Sequence, residues 1–122
     1  MIVYEIKMAL INFIHHIEKE LYFEAHEILE EIWHKAKKKN HPQTLLIKGL
    51  INASISFAHI KRGRKTALKS SKTTIKSYYR YKDMCTPSIE NFDIFHTACS
   101  TIDRHRYITL IDGDKEQTTL LL

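Results

Sequence analysis

Glycine and proline are nearly missing from this chain, with three and two among 122 residues. Both punctuate backbone structure, so their scarcity excludes many short strands joined by tight turns. Cysteine is scarce too. Cys85 and Cys99 are too few for a disulfide framework and lack the spacing of a metal knuckle, which reads as reduced thiols in a cytosol. No apolar run approaches the roughly 20 residues of a membrane-spanning helix. The stretch Met1-Ile-Val-Tyr-Glu-Ile-Lys7 lacks the basic region and cleavage site of a secretory signal. A cytoplasmic protein without membrane association is expected. A Gly-rich phosphate loop, a Ser/His/Asp order and a Cys-x-x-Cys pair are also missing, so no cofactor is expected.

What remains is ordinary in bulk: 43% hydrophobic and 27% charged residues, the balance of one globular domain. The formal charge of +5 permits an anionic partner without requiring one.

The periodicity is helical. Residues 3–18 carry Tyr4, Met8, Ile11 and His15 at helical spacing, with Ile14 and Ile17 beside them, which predicts an amphipathic first helix. Over 22–38, Tyr22, Ala25, Ile28, Leu29, Ile32, Trp33 and Ala36 fall on one broad arc. Lysines at its C-terminal end complement the helix dipole, and Asn40-His41-Pro42 stops it. Residues 43–62 are apolar nearly all round, the pattern of a central helix, and Gly63 suits the position just past its end. A fourth helix is predicted over 65–84, with Ala67, Leu68, Ser71, Ile75 and Tyr78 inward; Thr86-Pro87-Ser88 breaks the chain before a fifth over 89–104. The fold class is all-α, a bundle of about five helices over residues 1–106 with the third at its centre. Residues 107–122, with apolar runs on either side of Asp112-Gly113, read as a C-terminal hairpin or an extended tail.

Phe23-Glu-Ala-His-Glu-Ile-Leu-Glu-Glu-Ile-Trp33, then Leu46-Ile-Lys-Gly-Leu-Ile51, then His59-Ile-Lys-Arg-Gly63 resembles the small helical family known as domain of unknown function 309. That family shows a Phe-Glu-Ala-His-Glu-x-Leu-Glu core with a following Trp, then a Gly-Leu-Ile helix ending in His and a basic-Gly turn. The resemblance covers about residues 13–82. It implies an all-helical bundle and no established reaction. The chain departs from the pattern at Glu18 and Glu20, where members usually have Asn and Gly, and at Lys48 and Asn52, where they often have Gln.

Chemistry concentrates in the second helix. His26 and Glu30 stand four apart on the edge of its apolar arc, with Trp33 beside them and Glu27 farther out. On the third helix Lys48, Asn52 and His59 form one polar stripe. A short loop makes the two helices antiparallel neighbours, which puts Glu30 level with Lys48 and Asn52 and leaves His59 at one end. A shared seam of His26, Glu30, Lys48 and Asn52 is therefore expected, with Lys48 as ion-pair partner of Glu30. It either fixes the register of two helices or opens as a ligand site that also uses Glu27, Trp33 and His59. No metal is expected: His26 and Glu30 supply two ligands at most, and an ammonium at Lys48 repels a cation. His15, His16, His34 and His41 read as surface or helix-end residues.

The fourth helix carries Lys65, Lys69, Lys72 and Lys76 in one stripe, with Arg80 alongside. Such a stripe is either a solvated face or a phosphate track with Tyr79 or Tyr81 stacking on a base. The leading expectation is a non-enzymatic binding or interaction module for a small ligand or a protein partner, a second copy of the chain included. A nucleic-acid-associated protein using the fourth helix stands second. A metal-dependent or acid–base enzyme using His26, Glu27, Glu30 and His59 stands third.

Overall fold

Helices form where apolar residues recur at three- and four-residue intervals. The computed structural model describes residues 1–63 and 67–121, with side chains described for 1–63 and 71–106. In chain order come α1 (Ile2–Glu18), α2 (Tyr22–Lys38), α3 (Thr44–Lys61), α4 (Ala67–Thr74), α5 (Lys76–Tyr81), a 3₁₀ turn over Lys82–Met84, and α6 (Phe92–Leu121). Among the described residues there is no strand, and no helix is long and apolar enough to cross a membrane. The expected all-α bundle is what forms. Helices α4 and α5, separated only at Ile75, together take the place of the expected fourth helix.

Each of the first three helices closes with a left-handed residue. Glu20 (φ 60°), Asn40 (φ 52°) and Gly63 (φ 67°) stand just past the ends of α1, α2 and α3. Around Glu20 the Leu21 N–H donates to the His16 carbonyl and the Glu20 N–H to that of Ile17, both at 2.9 Å. Around Asn40 the His41 N–H reaches the Ala36 carbonyl (2.9 Å) and the Asn40 N–H that of Lys37 (3.1 Å). These paired bonds satisfy carbonyls that a helix end otherwise leaves open.

The arc expected on α2 is largely buried, through Tyr22, Ala25, Leu29, Ile32 and Ala36. The inward face expected for α1 is corrected. Ile6, Leu10, Phe13 and Ile17 face the core, while Tyr4 is 64% exposed and Met8 and Ile11 lie outside with it. The two stripes are two residues out of phase, which puts them about 200° apart, on opposite sides of the helix. The stripe that meets α2 and α6 is the buried one.

Helix α3 is central, as its apolar circumference requires: it packs on α2, α4, α5 and α6. Leu46, Ile47, Leu50, Ile51, Ala53 and Phe57 are buried on it. Helix α5 comes closest at Gly49. A Cβ there would stand 3.2 Å from the Tyr78 Cα and 3.4 Å from the Ser77 carbonyl oxygen. Glycine lets the two backbones meet at that distance without a methyl pressing on α5.

The hairpin or extended tail expected over residues 107–122 is also corrected, since α6 continues as helix to Leu121. No proline interrupts that stretch. Gly113 costs a helix only about 1 kcal/mol relative to alanine. Extending a helix already nucleated by its docked first half is easier than closing a lone two-stranded hairpin.

Candidate functional site

The antiparallel packing of α2 on α3 brings the N-terminal turn of α2 to the C-terminal turn of α3. Arg62 lies over the Phe23 ring at 5.5 Å, and the Lys61 ammonium donates to the Glu20 carbonyl at 2.9 Å. At the other end Lys48 of α3 reaches Trp33 of α2, its ammonium 4.5 Å from the ring centroid. Lys37 approaches the same ring at 5.0 Å. Contacts of this kind are worth about 0.5–1 kcal/mol each where exposed.

Between these ends lies His26, its side chain 14% exposed. Its Nδ1 is 2.6 Å from the Phe23 carbonyl oxygen, and its Nε2 is 3.1 Å from a Glu30 carboxylate oxygen. Both ring nitrogens therefore face acceptors. The Phe23 ring packs against the imidazole at 4.9 Å. Glu30 is 45% exposed, and its second oxygen stands 4.0 Å from His34 Nε2. His34 thus joins the cluster from one turn further on, although its position reads as plain surface. The clue in the chain was the four-residue step from Glu30.

The expected seam is brought together only in part. His26 and Glu30 pair with each other, and Lys48 crosses from α3, but to the Trp33 ring instead of the Glu30 carboxylate. Glu30 already holds His26, and the broad indole face lies nearer the end of α3 from which Lys48 projects. Asn52 leaves the seam: its Nδ2 donates to the Ser77 hydroxyl of α5 at 2.7 Å. Four residues advance a helix by about 40° beyond a full turn, and on a helix packed on several sides that shift leads to a different neighbour. Glu27 is exposed, and His59 is half-buried near the far end of α3. Among the described residues no three His, Cys, Asp or Glu side chains are grouped to hold a metal ion.

Of the basic stripe, Lys65 and the Lys69 side chain lie outside the described residues. Lys72 and Lys76 line a cavity between α3 and α6, and Arg80 lies over the Tyr81 ring at 5.9 Å.

Two clusters were not anticipated. The Tyr22 hydroxyl lies 3.0 Å from Nδ1 of buried His105, whose Nε2 is 3.8 Å from Glu18, and Glu18 also pairs with Arg104. Burial lowers the His105 pKa from its ordinary value, and the Arg104 charge lowers it further. In the second cluster the Tyr78 hydroxyl lies within hydrogen-bonding distance of Asp103 (2.8 Å) and the Cys99 carbonyl (3.0 Å). Burial raises the Tyr78 phenol and, with Cys85 nearby, pushes the Cys99 thiol up to about 12. Thiols so shifted are inert at neutral pH. Both clusters join residues more than twenty positions apart, through packing that helix periodicity does not specify.

Comparison with protein families matches residues 10–70 to a model described as Domain of unknown function (DUF309). Comparisons with curated proteins and with solved structures return no match.

Proposed function

Since the chain belongs to the family described as Domain of unknown function (DUF309), we propose that it is a non-enzymatic recognition module. Its binding face is the row Phe23, His26, Glu30 and Trp33 on α2, flanked by Lys48 and rimmed by Glu27. One observation carries this reading: the motif divides into residues the core uses and residues it does not. Ala25 and Leu29 are fully buried, Gly49 admits α5, and Gly63 closes α3. Phe23, at 47% exposure, and half-exposed Glu30 lie outside the core, Trp33 packs only partly against it, and all three share one face with His26.

The row spans eleven residues, about 15 Å of helix. The described cavities are lined by other residues. An elongated face with half-exposed aromatic anchors and a charged rim suits a protein surface better than a small molecule, which favours concave sites.

The test is a photo-crosslinking residue placed at position 27 in the full chain, used in cells of the source organism. A discrete protein adduct is expected. It should disappear with His26→Ala and with Trp33→Ala and persist with Lys72→Ala. Absence of an adduct, or one indifferent to both α2 changes, rejects the reading.

A further inference from the structure

A cavity of about 340 Å³ opens where α3, α4, α5 and α6 meet, on elements other than the α2 row. Its volume lies in the lower part of the range small-molecule sites occupy, roughly 300–1,000 Å³. The floor is apolar, made by Phe57 and Ile60 of α3, Ile75 at the α4–α5 break, and the Tyr79 ring. Phe57 is fully buried, and Ile60 and Ile75 nearly so, which anchors the floor in the core. The nearby Ser56 hydroxyl is engaged, donating to the Ser71 carbonyl at 2.8 Å.

The mouth is cationic. Lys72, Lys76 and Arg106 line it from three different helices, and among the described residues no Asp or Glu lines it. The Arg106 guanidinium stands 4.8 Å from the Tyr79 ring centroid. Burial raises the Tyr79 phenol, against the pull of Arg106, as a poorly hydrated wall would. An apolar floor alone would accept any oily molecule, and a cationic rim alone any anion. Their combination selects molecules carrying both features.

We propose that this cavity binds an anionic amphiphile, its small apolar body against Phe57 and Ile75 and its single anionic head against Lys72, Lys76 and Arg106. A phosphate track for nucleic acid is the competing use of the same lysines. It would run along an open surface and would not need the apolar floor.

Calorimetric titration of the purified full chain with decanoate tests the proposal. Decanoate should bind at least tenfold more tightly than decanol, which lacks the charge, or acetate, which lacks the body, a ratio set by contacts to a charged head. Lys76→Gln should weaken decanoate about tenfold by removing one such contact. Ile60→Trp, at the edge of the floor, should abolish binding by filling the space, with folding checked by thermal melting. The comparison of the three probes needs no variant and decides the question if Ile60→Trp fails to fold. Equal binding of decanoate and decanol, or no decanoate binding, overturns the proposal. So does displacement of decanoate by a single-stranded oligonucleotide whose own affinity falls steeply with salt and survives Ile60→Trp.

Discussion

Glu20 holds a backbone conformation that costs an L-residue about 1–2 kcal/mol and that glycine adopts freely. Its carbonyl accepts from Lys61, and neither bond of the helix-closing pair involves its side chain. Glu20→Gly should therefore stabilise the protein by up to about 1 kcal/mol, raising the melting temperature by roughly 4 °C. An unchanged or lower melting temperature would mean that the carboxylate contributes more than its backbone costs. The position was visible in the sequence only as a departure from the motif of relatives, which usually carry glycine there. Composition gave no turn signal, because glutamate is a poor marker for left-handed backbone. Gly63 and Asn40 do carry such signals, and the ends of α3 and α2 were legible for that reason.

At the level of elements, the crossing of α3 and α5 rests on Gly49. Alanine would gain about 1 kcal/mol of helix propensity, but its methyl would press on the backbone of Tyr78 and Ser77. Overpacking of this kind costs roughly 1–3 kcal/mol. Gly49→Ala is expected to lower stability by about 1 kcal/mol in urea unfolding, and a gain would show that α5 yields easily. Helix α2 was legible because it has a single apolar side. Helix α1 was not, since its opposite faces are both apolar and only contact with α2 and α6 decides between them. The polar stripe of α3 divides for a related reason. A helix with several neighbours gives Lys48 and Asn52 different partners, and the periodicity of one helix does not say where its neighbours lie.

For the whole molecule, acid sensitivity should centre on His105, where α1, α2 and α6 meet. Tyr22, Glu18, Arg104 and Glu20 are among the polar groups around it. Glu20 raises its pKa, but burial and Arg104 outweigh that, so the folded-state value lies below the ordinary 6.5. The unfolded chain then takes up this proton first as pH falls. The contribution is fully present above about pH 6.5 and is lost progressively below it, until the folded-state value is passed. Melting temperature should drop between pH 7 and pH 5, and His105→Asn should flatten that drop while lowering the value at pH 7. Equal slopes in the two proteins would place the sensitivity elsewhere.

Helix α6 packs on both α1 and α3, with Phe95, Ala98 and Ile102 fully buried. During synthesis at about 5–20 residues per second, the first three helices leave the ribosome seconds before that partner. For that interval the sides of α1 and α3 that will meet α6 stay wet, and apolar surface that the folded bundle hides is open to stray association until α6 arrives.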